Sequence, residues 1–423
     1  MIDLKALRSD PDVFRGPLGR RGVSAATIDE LLGIDQRRRA LMTEAQELRA
    51  EQKQFGRRIG QADPDQRPAL IAESATYSDR IQALEDDEAL LEQQQTQILV
   101  GIPNVPHPQA PDGVDDSDAV ELEQFGAKTS FDFEPQDHLT LGERLGILDI
   151  ERAVKVSGSR FAFLLGDAVF LEFALVRFAM QTIAEQGFTP VITPALTREE
   201  ALFGTAFLPG SADQIYKVPE DDLYLVGTAE VPLAGMHADE IFDASDLPLR
   251  YGGFSTCFRR EAGTYGKDTR GIFRLHQFDK VEMFSWVRPE DSWDEHVRLK
   301  DIQRSILSDL GLHGRVVDIP VGDLGDSAAR KYDLEVWLPG QQQYRELTSA
   351  SNCTDYQARR LQARYRTADG TEPVHTLNGT ACAVGRTIIA VLETHQQQDG
   401  SIVLPDVLHP FMGKERLVPV TDP

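Results

Sequence analysis

Two long runs of period-seven hydrophobicity, separated by a proline-flanked break, constrain this chain more than any other feature. From Leu31 to Ile59 the positions 31, 34, 38, 41, 45, 48, 52, 55 and 59 advance in alternating steps of three and four and carry Leu, Ile, Arg, Leu, Ala, Leu, Gln, Phe and Ile. The steps resume after the break QADPDQRP, at Leu70, Ser74, Tyr77, Ile81, Leu84, Glu88, Leu91, Gln95 and Ile98. Such spacing puts one stripe on each of two helices of about 30 residues, each about 45 Å long. Neither helix can bury its stripe alone. Pro64 and Pro68 mark the turn, so the pattern predicts an antiparallel helical hairpin over about residues 27–100. The polar seam positions Arg38, Gln52, Ser74, Glu88 and Gln95 leave a dimeric coiled coil, or part of a bundle, as alternatives.

Beyond Val100 the stretch GIPNVPHPQAPDGVDDSD gathers prolines at 103, 106, 108 and 111 and reads as a linker. The expected division is therefore 1–110 for the arm and 111–423 for a body in which amphipathic helices alternate with β-branched runs such as FTPVIT, VVDIPV and RTIIAVL. That body reads as α+β. A long apolar helix is expected to open at Asp167, as its N-cap after Gly166, and to end at Gly187; its Val169, Phe170, Phe173, Leu175, Val176, Phe178 and Ile183 call for burial on more than one face, in a core or at a subunit interface.

The formal net charge of −24 repels phosphates and anionic lipid, so any nucleic-acid contact must rest on local patches. No run approaches the roughly 18 apolar residues of a membrane span, and the first residues lack the apolar core of a signal peptide. Cys257, Cys353 and Cys382 are too few and too scattered for a disulfide framework, which suits a reducing cytoplasm.

The densest polar signal runs from Phe254 to Phe284, FSTCFRREAGTYGKDTRGIFRLHQFDKVEMF, and reads as strand, loop, strand. Arg259, Arg260 and Glu261 close the first strand, Lys267, Asp268 and Arg270 lie in a glycine-rich loop, and Arg274, His276, Phe278 and Glu282 ride on the second. Alternation puts Phe278, Lys280 and Glu282 on the face opposite Asp279, Val281 and Met283. Arginine forks match phosphate oxygens, so the hairpin can clamp a polyphosphate; surface salt bridging is the plain alternative.

A strand ending in F-R-x-E, a loop, then R-x-H-Q-F resembles motif 2 of class II aminoacyl-tRNA synthetases. With GTAEVPL at 227–233, ELTSASNCTDYQARR at 346–360 and TLNGTACAVGRTIIAVLE at 376–393, nearly the whole chain resembles the seryl-tRNA synthetase family. That resemblance implies a helical-hairpin arm that binds tRNA, followed by a catalytic domain on an antiparallel sheet flanked by helices. The implied reaction joins L-serine to ATP and then passes the seryl group to tRNA(Ser), and to tRNA(Sec) where it is present. It implies that Arg259 and Arg386 serve catalysis, with Arg260, Glu261, Leu275, Phe278, Glu346, Leu347, Thr348 and Ser349 completing the ATP site. Arg259 would hold the α-phosphate, Phe278 would stack on adenine, and Arg386 would lie near the γ-phosphate. Glu346 and Ser349 would hold Mg2+; no zinc is expected. Thr228, Ala229, Glu230, Glu282, Asn378 and Thr380 would form the serine pocket, Thr380 standing where many relatives carry serine. His276 is read as positional. GFTPVITP resembles motif 1, with Pro194 as its proline, which implies a homodimer holding tRNA across subunits. The basic residues of the first arm helix include Arg49, Lys53, Arg57 and Arg58, the expected tRNA footprint; charge pairing between the arms is the alternative. No DNA and no membrane is expected as a partner. A carrier-loading synthetase lacks such an arm, and a non-catalytic scaffold should have lost Arg259, Glu261 or Arg386.

Overall fold

The computed structural model describes residues 1–263, 266, 268 and 270–420, so the predicted loop residue Lys267 lies outside the described residues. The chain separates into two compact units, Ile2–Pro103 and Asn104–Pro423, with Met1 grouped with the second.

In the first unit α1 (Leu4–Ser9) and α2 (Asp12–Arg20) precede the long helices α3 (Ala25–Gln61) and α4 (Arg67–Gly101). Ser24 caps α3, its hydroxyl accepting from the Thr27 N–H. The stripe is the buried one: Leu31, Ile34, Ala45, Leu48 and Phe55 meet a partner face that includes Ile81 and Leu99. The polar seam residues pair with one another. Arg38 donates to Glu88 (2.5 Å) and Gln95 (2.9 Å) and contacts Glu92, Gln52 donates to Ser78 (2.7 Å), and buried Asp35 accepts both forks of Arg8 (2.7 and 2.8 Å). These contacts close within one chain, so the arm is the antiparallel hairpin. Arg49 pairs with Glu85 on the other helix.

The second unit is built on an eight-stranded sheet: β1 (Val120–Phe125), β2 (Thr189–Ile192), β3 (Leu249–Phe258), β4 (Gln277–Val287), β5 (Gly314–Asp318), β6 (Arg330–Leu338), β7 (Gln343–Asn352) and β8 (His375–Ala383), in the order β1-β5-β6-β7-β8-β4-β3-β2. Every pairing is antiparallel except β2 with β3. Helices α5 (Asp167–Glu185), α6 (Glu230–Gly235), α7 (Ser292–Asp309) and α8 (Val384–Thr394) accompany it. Leu171, Leu175 and Ile183 of α5 and Ile388 and Val391 of α8 share the main core with Val281, Met283, Leu334 and Val336 of the strands.

Three local expectations are corrected. RTIIAVL is a helix: Ile388, Ile389, Ala390, Val391 and Leu392 are all fully buried, and a helix buried all round shows the same continuous apolar run as a central strand. Asp167 is the first helical residue of α5, capped by Gly166, and pairs with Lys414 (2.7 Å). The hairpin strands end at Phe258 and begin at Gln277, so Arg259, Glu261, Arg274 and His276 sit on the loop limbs.

Candidate active site

A cleft of about 320 Å³ opens between the loop limbs and the sheet. Its lining includes Arg259, Glu261, Leu275, Phe278, Glu346, Leu347, Ser349, Thr380 and Arg386. Arg259 continues the strand ladder, its N–H donating to the His276 carbonyl (2.9 Å), while its guanidinium lies 5.4 Å from the Phe278 ring centre. His276 Nδ1 donates back to the Arg259 carbonyl (2.9 Å), which fixes the two limbs and leaves the ring no free nitrogen at that position. Glu261 adopts φ +50° and accepts from Arg274 (2.5 Å).

Two irregularities in the sheet shape the floor. The β6–β7 register shifts so that Leu334 faces Thr348 and Glu335 faces Glu346, leaving Leu347 as an extra residue. The bulge reverses the alternation, and Glu346 and Ser349, three apart, line the same cleft. A second shift, between the pairs Val281–Cys382 and Glu282–Thr380, does the same on β8 at Ala381 and brings Thr380 and Ala383 to one side.

Arg386, on the first turn of α8, donates to the Glu346 carbonyl (2.7 Å) and lies 3.4 Å from its carboxylate. Burial works to raise the Glu346 pKa, but Arg386, Lys331 and Arg259 outweigh it and bring the carboxyl down to about 2. The side chain is 44% exposed into the cleft, so water screens much of that attraction; the group is a carboxylate at any physiological pH. Phe273 is held between the guanidinium groups of Arg345 and Arg386, at 3.7 and 4.5 Å.

Deeper, a buried polar cluster joins α6, β4 and β8. Glu282 accepts from Thr228 (3.4 Å) and Thr380 (3.3 Å) and pairs with Lys280. Glu230 accepts from Gln357 (2.7 Å) and Asn378 (3.0 Å). Burial, then the Glu282 charge, pushes Glu230 up to about 7. Lys280 pairs with one of the two carboxylates, while the side-chain donors to Glu230 are the neutral amides of Gln357 and Asn378. Ala229, fully buried, approaches β3 closely: a Cβ on Gly253 would lie 3.1 Å from its own Cβ and 2.8 Å from Leu233 Cδ1, so a larger residue there would have to push both aside. Burial pushes the Cys353 thiol up, with the Glu230 charge adding to it, so sulfur contributes no anion.

Two of the expected ATP-site residues do not reach the cleft. Arg260 stacks on Tyr216 (5.7 Å), and Thr348 faces away from the lining with its hydroxyl buried. Sequence reasoning left out Lys280, Lys331, Phe273, Arg345 and Gln357. Lys280 was within reach, since it shares the Phe278–Glu282 strand face; Lys331 and Gln357 carry no local signal and arrive through register and a helix.

An antiparallel sheet with one parallel edge strand, a cleft lined by two arginines and a buried carboxylate cluster that meets it at Lys280 and Thr380 define the core of a class II aminoacyl-tRNA synthetase. Two family models match: the seryl-tRNA synthetase N-terminal domain over residues 1–106, and the tRNA synthetase class II core domain (G, H, P, S and T) over residues 216–395. The serine–tRNA ligase of Streptomyces coelicolor is 51% identical over 424 residues, covering 99% of this chain and 100% of that relative, and the chain belongs to the seryl-tRNA synthetase family. Among solved structures it is similar to seryl-tRNA synthetase from Pyrococcus horikoshii complexed with ATP (TM-score 0.94, 42% identity, 100% of both chains). The cytoplasmic serine–tRNA ligase from Naegleria fowleri in complex with AMP gives a TM-score of 0.88 at 32% identity, covering 97% of this chain and 96% of that one.

Proposed function

We propose that the cleft forms seryl-adenylate from L-serine and ATP and that the chain then transfers the seryl group to tRNA(Ser), with tRNA(Sec) a second acceptor where the cell has one. The observation that carries this reading is the adjacency of a cationic cleft, with Arg259 and Arg386, to the buried Glu230–Glu282 cluster, which meets it at Lys280 and Thr380.

The serine carboxylate attacks the α-phosphorus of ATP and pyrophosphate leaves. Charge accumulates on phosphate oxygens, so positioned cations supply the rate. Arg259 neutralises the α-phosphate and aligns the attacking carboxylate; Arg386 faces the leaving group. Glu261, Leu275 and Phe278 hold the adenosine side, with Leu347 in the floor. Arg260 and Thr348 act through backbone placement. The ammonium of serine lies by Glu230 with Thr228 and Ala229, while Glu282, Asn378 and Thr380 receive its hydroxyl. A pocket that hydrogen-bonds a hydroxyl discriminates against alanine strongly, since its buried groups would otherwise be left unpaired. In the second step a terminal ribose hydroxyl attacks the acyl carbon and AMP departs. Neither step needs a protein nucleophile.

Glu346 and Ser349 fit a magnesium ion: both are oxygen donors, both line the cleft, and the carboxylate stays ionised. Bound there, the ion would supply charge neutralisation on the phosphates.

The exposed Phe170 and Phe173 of α5 and Ile192 on the edge strand β2 support a homodimer, and a shared tRNA follows from the family. Arg49, Lys53, Arg57 and Arg58 are exposed on α3; the first three are four residues apart and share one face, suited to a phosphate backbone. No helix among the described residues is long and apolar enough to cross a membrane, and a cytoplasmic location accords with the tRNA substrate.

The test is exchange of labelled pyrophosphate into ATP with serine, alanine, threonine or cysteine and no tRNA. Exchange with serine alone is expected; no exchange with any of them by folded protein overturns the reading.

A further inference from the structure

His138 does not itself line the cleft, yet it joins two parts of the cleft wall. The residue is 6% exposed. Nδ1 lies 3.0 Å from Glu393 Oε1, and the Ile272 backbone N–H donates to Nε2 across 3.2 Å. An amide only donates, so Nε2 carries no proton and Nδ1 carries it. Glu393 enforces that tautomer. It is fully buried, and it also accepts from the backbone N–H groups of His138 (3.1 Å) and Gly340 (3.0 Å) and from Gln341 Nε2 (3.0 Å).

The neighbouring backbone is fitted to the ring. Gly271 has φ +76°, and a Cβ there would lie 2.0 Å from His138 Nε2, so any larger residue would displace the imidazole. Ile272 and Phe273 follow directly and line the cleft. Phe273 in turn lies against Arg386, which shares helix α8 with Glu393. The contacts therefore close a circuit: α8 through Glu393 to His138, from His138 to the Ile272 amide, and from Phe273 back to Arg386 on the first turn of α8.

We propose that His138 is a positioning residue for nucleotide binding, holding the returning loop limb Gly271–Leu275 against α8 so that Phe273 and Arg386 meet ATP already in place. A preformed wall spares the ordering cost that a loose limb would levy on each binding event. The proposal rests on the reading of the cleft as the ATP site.

The test uses two variants of the full chain. His138→Asn keeps a donor near the Nδ1 position and loses the acceptor at Nε2; His138→Gln places an acceptor near Nε2. In serine-dependent pyrophosphate exchange His138→Asn should raise the KM for ATP about five- to tenfold, the loss expected for one neutral hydrogen bond, with the KM for serine within about twofold. Backbone hydrogen exchange of residues 271–275 should quicken in the same variant. His138→Gln should keep both close to the parent. Unchanged ATP KM and unchanged protection in folded His138→Asn overturn the proposal, as does a parallel rise of both KM values in both variants, which is the mark of a merely structural role. If the parent protein shows no serine-dependent exchange, the functional reading fails, and the hydrogen-exchange comparison still decides whether His138 holds the limb.

Discussion

Asn378 Nδ2 donates to Glu230 Oε1 across 3.0 Å, tying strand β8 to the first residue of helix α6, with both side chains buried. The carboxylate is satisfied by neutral donors, and burial followed by the Glu282 charge raises it from 4.5 to about 7. Serine binding through its ammonium requires the ionised form. The KM for serine should therefore fall as pH rises from about 6 to 8, and the dependence should vanish in Glu230→Gln with KM raised about thirtyfold or more, about 2 kcal/mol. Because the folded state binds this proton more tightly than the unfolded chain, Glu230 makes stability fall as pH rises from 4.5 to about 7. Serine titrations at fixed pH values check the first point, and thermal melts across that window check the second.

Arg386 should be the more costly of the two arginines to lose. Arg386→Ala removes a cation from the proposed phosphate site and also the guanidinium that donates to the Glu346 carbonyl and lies 3.4 Å from its carboxylate, which positions that side chain. Exchange kcat should drop about 10²- to 10³-fold, the usual loss for a positioned charge-stabilising group. The Mg2+ concentration for half-maximal exchange should rise as well, read by titrating the metal at saturating ATP. Glu346→Gln should share the metal effect.

Replacing Arg49, Lys53, Arg57 and Arg58 together with alanine should raise the KM for tRNA in aminoacylation and flatten its salt dependence, leaving pyrophosphate exchange unaltered. Arg49 alone should contribute least, since it is already engaged with Glu85 and must give up that pair. An unchanged tRNA KM in the quadruple variant removes these residues from the footprint.

Phe173 is 62% exposed on a helix whose other face is packed in the core. Phe173→Glu should put a charge in the apolar surface and yield a monomer in sedimentation at concentrations where the parent sediments as a dimer. A parent that sediments as a monomer throughout shows that this face is not a subunit interface.

The arm was legible because it repeats: every third or fourth residue from Leu31 to Ile59 and from Leu70 to Ile98 reports the same buried or half-buried stripe, and no distant element is needed to read it. The cleft was legible where chemistry is crowded in sequence, as in the arginine hairpin. Motif likeness covered Glu346 and Ser349, yet their common side was invisible to alternation, because a three-residue step along a regular strand puts them on opposite faces. Only the extra residue at Leu347 reconciles them, and a bulge leaves no mark in composition. Lys331 and Gln357 reach the site through pairing register and helix placement. RTIIAVL shows the reverse failure, a run whose strength as a hydrophobic signal erased its period.

The polar contacts in the arm give it the property of a ruler. A helix of 37 residues extends about 55 Å, and a slip of one heptad against its partner would shift the tip by about 10 Å while burying nearly the same apolar surface. Leucines alone tolerate that slip. Arg38 with Glu88, Glu92 and Gln95 favours one register, for a slip of one heptad leaves it Gln95 alone in one direction and, in the other, Glu85 and Glu88 without the glutamine, which is then also parted from Asp35. The distance at which the tip meets another molecule is therefore calibrated at the far end of the hairpin, so that a change near Arg38 would be felt as a mismeasurement several tens of ångströms away.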